Sequence, residues 1–198
     1  MQTRPPEPDT CDTPDTFAAR RQALRQQLLA LRASLPDRAE RERVLVNRVR
    51  RWLATMPTSR LAFYWAVRGE CDLRPVVIEW LAGDAKRTAA LPVIDGELLR
   101  FVAWQADTPM RDGLFGIPVP PADAPQLSPQ VLLVPCVGVD QNRYRLGYGG
   151  GFYDRTLARL SPRPVTVGIG FDCGRVKNLA PQAHDIRMDL VITESGVL

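Results

Sequence analysis

The chain has one histidine, His184, and four cysteines at 11, 71, 136 and 173, no two of them forming a CxxC pair. That spacing excludes the usual zinc-site patterns, and a chain of 198 residues buries enough surface to need no disulfide framework. No apolar run approaches the roughly 20 residues that cross a bilayer as a helix. A Walker A loop, a GxGxxG fingerprint and a GxSxG elbow are all missing. His184 is followed directly by Asp185, and adjacent side chains seldom point at one another, so no hydrolytic triad is indicated. The opening MQTRPPEPDTCDTPD lacks the apolar core of a signal peptide. With Pro5, Pro6, Pro8 and Pro14, residues 1–14 read as a disordered leader ahead of a single domain over 15–198. The expectation is a cytoplasmic monomer with no membrane partner.

Lysine is nearly absent too, and what replaces it is arginine: 24 of the 26 cationic residues, against 22 acids, for a net charge of +4. Planar guanidinium groups suit phosphate and carboxylate. A nucleic-acid binder, an anionic small-molecule site and a plain solvated surface are all compatible with that excess. Hydrophobic content of 45% rules out wholesale disorder.

Leu24, Leu28, Leu31 and Leu35 recur at helical spacing until Pro36, and Arg21, Arg25 and Arg32 lie in a narrow sector beside them. Such arginines either reach into a cleft beside the core or snorkel along a basic face. Asp37 with Glu40 reads as a capping box opening a second helix to about Leu53, with Val44, Leu45 and Val49 inward. Residues 60–67 (RLAFYWAV) read as a buried strand. Asp72 is placed to cap a helix with Pro75 in its first turn. Strands follow over 88–94 and through Trp104, joined at Asp95-Gly96. A loop over 112–129 carries five prolines, and strands at 131–134, 165–169 and 190–193 flank a helix over 152–160. Helices alternating with fully apolar strands predict an α/β sheet covered on both faces.

The segment Arg145-Leu146-Gly147-Tyr148-Gly149-Gly150-Gly151-Phe152-Tyr153-Asp154-Arg155 is the most informative. Four glycines in five positions admit left-handed backbone and let main-chain N–H groups approach a ligand. Arg145 is a natural phosphate clamp. Asp154, in the first turn of the helix that follows, either complements the dipole or holds a metal bridging phosphate oxygens. From the residues alone, a phosphate site and a tight structural turn both remain open. For Asp154→Ala, the metal reading predicts lost function with nearly unchanged stability, and the cap reading predicts a large drop in melting temperature. Asp189, before an apolar strand, reads as a cap, a turn residue or a metal ligand.

RLGYGGGFYDR, with VLLVPCVGVD before it and VGIGFD, HD and DLVITESG after it, resembles the 5-formyltetrahydrofolate cyclo-ligases, or methenyltetrahydrofolate synthetases. The resemblance spans about residues 20–196. It implies a three-layer α/β/α sandwich with a mainly parallel sheet, of the isomerase and CoA-transferase type. It implies the ATP- and magnesium-dependent cyclisation of 5-formyltetrahydrofolate, free or polyglutamylated, to 5,10-methenyltetrahydrofolate. Carried over by motif, Arg21, Arg25, Arg145, Leu146, Gly147, Tyr148, Gly149, Gly150, Gly151, Phe152 and Tyr153 would meet ATP. Trp65, Glu70 and the loop from Tyr148 to Phe152 would meet the folate, and Asp154 and Asp189 would hold magnesium. The chain departs from the family pattern at Arg21 (usually Lys), Val119 (usually Glu), Gly150 (often Lys) and Gly174 (often Gln). Those departures admit a paralogue that binds nucleotide or folate without cyclising it. The arginines at 41, 43, 48, 50 and 51 admit, more remotely, a nucleic-acid-binding module.

Overall fold

In the computed structural model, residues 14–198 are described; the leader expected over 1–14 lies outside them apart from Pro14. Helix α1 (Pro14–Ala33) leads into α2 (Arg38–Thr55), then β1 (Arg60–Ala62), α3 (Arg74–Ala82), β2 (Thr88–Asp95) and β3 (Leu98–Trp104). A two-stranded ribbon, β4 (Arg111–Asp112) with β5 (Pro118–Val119), folds within the proline-rich stretch. There follow β6 (Val131–Pro135), β7 (Gly138–Asp140), β8 (Arg145–Leu146), α4 (Phe152–Leu157), β9 (Val165–Ile169), β10 (Arg175–Val176) and β11 (Leu190–Ile192).

The central sheet runs β11-β9-β6-β1-β2-β3. All its pairings are parallel except the β2–β3 hairpin, which turns at Asp95-Gly96 as expected. Strand periodicity divides the core cleanly. Leu61, Leu133, Val167 and Ile192 point to one face, where Leu45, Val49 and Leu53 of α2 and Val76, Val77 and Trp80 of α3 cover them. Ala62, Leu132, Val134 and Val191 point to the other, against Leu157 of α4, Val139 and Met188. The second cover is thin: α4 has six residues rather than the nine expected, and the small sheet β10-β7-β8 completes it. Helix α1 packs on that small sheet through Leu28, which meets Val137, Leu146 and Leu179.

Several local expectations are corrected. Asp37 adopts the left-handed conformation and makes no side-chain cap, and Glu40 pairs with Arg43 instead. Leu73, not Asp72, is the residue preceding α3, although the Asp72 carboxylate does accept from the Arg74 N–H at 3.0 Å. Only residues 60–62 of the apolar run pair as a strand, but Phe63 and Tyr64 stay buried beyond its end. On α1 the inward stripe is Leu24 and Leu28 with Arg21, Arg25 and Arg32, while Leu31 is 44% exposed and Leu35 lies past the helix end. The arginines therefore belong to the packed face.

Candidate active site

Parallel strands β6 and β9 end together at Pro135 and Ile169, and the chain beyond them turns toward α1 and the glycine loop. Clefts at the carboxyl ends of parallel strands are where open α/β sheets place ligands. The glycine loop follows β8, which hydrogen-bonds to β7 and buries Arg145 and Leu146. Gly149 has φ +99°, and a Cβ there would stand 3.4 Å from the Arg25 guanidinium. Gly151 has φ +66°, and a Cβ would meet Arg155. Each position therefore needs glycine for its left-handed backbone.

The loop's carbonyls are fixed by guanidinium groups. Arg25 Nε donates to Gly147 O at 2.7 Å, and Arg155 donates to Gly150 O at 2.8 Å. Because each peptide is planar and trans, a fixed carbonyl turns the next N–H the opposite way. The N–H groups of Tyr148 and Gly151 thus face away from those arginines. Helix α4 is too short to supply a strong dipole, so a phosphate here would rest on loop amides and arginine.

Arg145 donates to Asp154 at 2.9 Å and to Ile186 O at 3.2 Å. Asp154 also accepts from Ile186 N at 2.9 Å, so its carboxylate ties α4 to the C-terminal segment. Arg21 is held by Asp185 at 2.6 and 3.3 Å. Burial pushes the Asp185 carboxyl upward, but the hydrogen bonds from Arg21 and Gln182 N outweigh it and hold the group below its usual value. Burial and the nearby Arg21 lower the proton affinity of Arg25.

Glu70 lies at the end of the β1–α3 connection, only 7% exposed. Its Oε2 accepts from Val67 N at 2.9 Å and its Oε1 from the Tyr148 hydroxyl at 2.7 Å. Burial raises the carboxyl's pKa; the Tyr148 and Val67 hydrogen bonds and the charges of Arg32 and Arg68 oppose the rise. Trp65 is half-buried, with the Arg74 guanidinium 4.4 Å from its ring, and lines a concavity of about 290 Å³ with Ile78, Trp104 and Met110.

The structure thus gathers Arg21, Arg25, Glu70, Arg145, Tyr148 and Asp154 around one loop. Phe152 and Tyr153 open α4, with Tyr153 packed under the sheet's thin cover and Arg145 5.7 Å from its ring. Asp189 has other surroundings. Its Oδ2 accepts from Thr166 N and Oγ1, both at 2.7 Å, at the start of β9. It shares a concavity of about 220 Å³ with Arg143, Arg163 and Arg187, and Arg163 stands 3.7 Å from its Oδ1. Among the described residues, no group of three or more His, Cys, Asp and Glu is placed to hold a metal.

Two participants go beyond the site residues that the sequence singles out. Arg32 reads there as either a cleft residue or part of a solvated face, and Asp185 gains no partner from the adjacent His184. A position three turns along the stripe from Arg21 is the available signal for Arg32; nothing in the sequence pairs Asp185 with α1.

Comparison with known proteins decides the family. The model of the 5-formyltetrahydrofolate cyclo-ligase family matches residues 18–194. The chain belongs to the 5-formyltetrahydrofolate cyclo-ligase family. A cyclo-ligase of Haemophilus influenzae is 27% identical over 175 residues, covering 84% of this chain and 94% of that protein. One of Escherichia coli is 31% identical over 143 residues, covering 69% and 79%. The solved 5,10-methenyltetrahydrofolate synthetase of Aquifex aeolicus superposes with a TM-score of 0.74 at 29% identity, over 89% of this chain and 91% of that one. The synthetase from Mycoplasma pneumoniae shares the fold, with a TM-score of 0.72 at 22% identity over 88% and 98%. The glycine loop and its arginine partners all fall inside the cyclo-ligase match.

Proposed function

We propose that the protein cyclises 5-formyltetrahydrofolate to 5,10-methenyltetrahydrofolate with ATP as co-substrate. The single observation that carries this reading is the glycine loop held between Arg25 and Arg145 on one side and the buried carboxylate of Glu70 on the other. An anion-binding loop and a buried acceptor for ring N–H donors meet at Tyr148. Family membership supports the same substrate.

The formyl oxygen is a poor leaving group, and transfer of the γ-phosphoryl of ATP to it makes one that leaves. N10 then attacks the formyl carbon and gives up its proton to solvent or the departing phosphate, the C–O bond breaks, phosphate leaves and the new N10–C bond closes the five-membered ring. Loose phosphoryl transfer needs charge neutralisation and alignment more than a protein nucleophile. Arg21, Arg25 and Arg145 would supply the charge and the loop N–H groups the alignment. Glu70 would fix the pterin by accepting from its amino and ring N–H groups, and Trp65 would offer a face of the neighbouring concavity.

Magnesium, when bound, would neutralise phosphate charge. Asp154 suits it, because each of its oxygens accepts one hydrogen bond and keeps a further lone pair, and Mg²⁺ needs only one or two carboxylates besides phosphate and water. Asp189, the other acid that the resemblance assigns to magnesium, has Oδ2 engaged by Thr166 and Arg163 3.7 Å from Oδ1, so it would join the ion through Oδ1. Its bonds to Thr166 also tie the start of β9 to β11.

One departure from the family pattern has a structural explanation: a Cβ at Gly174 would lie 2.7 Å from the Val137 carbonyl, so no side chain fits there. Val119 pairs with Arg111 in the β4–β5 ribbon, and nothing in that pairing explains its identity. The test is incubation with 5-formyltetrahydrofolate, ATP and magnesium while following methenyl absorbance. An ATP-dependent rise is expected. A flat trace beside an active relative overturns the reading, and ligand binding by titration without turnover selects the binding-only paralogue.

A further inference from the structure

Three segments distant in sequence meet at one hydroxyl. Arg32 of α1 donates from Nη2 to Tyr148 Oη at 2.6 Å and from Nη1 to the Cys136 carbonyl at 3.4 Å. Tyr148 Oη donates to Glu70 Oε1 at 2.7 Å. The direction of the chain is forced. A guanidinium has donors and no acceptor, and the hydroxyl has one proton, so the phenol accepts from Arg32 and gives its proton to the carboxylate. Arg32 is 3% exposed, and its Nε is buried with no partner. A surface-solvating arginine would not be placed at that cost. Two guanidinium groups also bracket the phenol ring, Arg68 at 5.3 Å and Arg32 at 5.9 Å from its centroid.

Tyr148 is the only residue with a side chain between Gly147 and Gly151. It is therefore the loop's only side chain that can link these glycines to the folate half of the site. We propose that Arg32 is a positioning residue which, through the Tyr148 hydroxyl, orients the Glu70 carboxylate for a pterin ring and couples the nucleotide loop to folate binding. This rests on the cyclo-ligase reading for the identity of the ligand. Arg32 touches neither reacting atoms nor nucleotide in this assignment; it acts through Tyr148.

The ionisable groups facing Glu70 are Arg32 from α1, Arg68 and Tyr64 from its own connection, Tyr148 from the loop, Tyr153 from α4 and Cys136 after β6. Removing the Tyr148 hydroxyl takes away a bond that favours the ionised carboxylate. Glu70 then protonates at higher pH, so the acid limb of folate binding moves upward in pH.

The experiment is titration of the full chain with 5-formyltetrahydrofolate over a range of pH, with and without a non-hydrolysable ATP analogue. Wild type is compared with Tyr148→Phe, Arg32→Lys and Arg32→Gln, each checked for its melting temperature. Tyr148→Phe is expected to weaken folate binding about tenfold, shift its acid limb upward, and abolish the gain in folate affinity that the analogue gives wild type. Arg32→Gln should reproduce these effects, and Arg32→Lys should recover part of the affinity because it keeps one donor near the hydroxyl. A folded Tyr148→Phe with wild-type affinity, acid limb and coupling overturns the proposal, as does wild type with no coupling to lose. An Arg32→Gln protein that loses melting temperature but keeps both the acid limb and the coupling shows a structural role only, which also overturns it. A wild type that binds folate normally but never turns it over defeats the cyclisation reading and leaves this one standing.

Discussion

Helices α1 and α2 are both rich in arginine, yet the exposed arginines of α2 meet very different partners from those of α1. On α2, Arg43 pairs with Glu40 with both side chains more than half exposed, and Arg50 reaches Glu79 across the surface. On α1, Arg21 and Arg25 are half-buried and Arg32 is buried, each aimed at a distant segment: Asp185, Gly147 O and Tyr148. Arg145 with Asp154 is the loop's own version of the buried kind. The difference teaches that the charge excess does not select a partner. Water screens the α2 pairs, whereas the α1 and loop pairs sit where dielectric screening is weak and each lost partner leaves a charge stranded. Two other α2 arginines behave like those of α1: Arg41 reaches the buried Glu194 carboxylate and Arg48 its carbonyl, both across the fold.

The sharpest way to break this contrast is Arg145→Ala. It strands Asp154 beside the loop and should cost about 3–5 kcal/mol of stability together with loss of turnover on the order of 10³-fold, measured by denaturant titration and the methenyl assay. Asp154→Ala should follow closely, with turnover lost and about 3 kcal/mol of stability with it, because it orphans a buried guanidinium. Asp154→Asn should recover most of the stability and little of the turnover. That pattern replaces the simple opposition of metal ligand and helix cap, since Asp154 is built into the fold and the site together.

Asp185→Asn tests the half-buried middle of the scale. The carboxyl's folded pKa is depressed, so its contribution is full above the ordinary carboxylate value and fades as pH falls through the lower folded one. The variant should lose about 1 kcal/mol at neutral pH and show a flatter stability profile from about pH 4 downward. A profile that superposes on wild type would move this pair into the α2 class. The smallest effect belongs to Arg43→Ala, where neither melting temperature nor turnover should change measurably. A clear loss there would erase the distinction between the two helices.

Much of the sheet was legible because a strand's two-residue period is written locally. Residues 88–95 and 98–104, the turn at Asp95-Gly96 and the apolar run 131–135 needed no tertiary information. Helix ends were less so: the Asp37–Glu40 box fails because Glu40 meets Arg43 on its own surface, and Asp37 takes the left-handed turn between α1 and α2. In the site, the glycine loop was visible because four glycines in five positions have few structural uses. Arg32 was not, since a buried and a solvated arginine look alike until the acceptor is known. Asp189 reads as a cap, a turn residue or a metal ligand, and its Thr166 partner lies 23 residues away.

By itself the sequence determined the α/β class, the glycine loop flanked by Arg145 and Asp154, and the family those residues spell. These are properties of short segments, where backbone freedom and side-chain type are set by adjacent residues. Only the tertiary structure decided which arginines act, because a guanidinium's energy depends on burial and on partners more than a hundred residues distant. Arg25 with Gly147, Arg32 with Tyr148 and Arg21 with Asp185 are bonds between parts of the chain that no local pattern relates. The near absence of lysine fits that division, since planar forks can hold a carbonyl or a hydroxyl in a fixed direction where an ammonium would only supply charge.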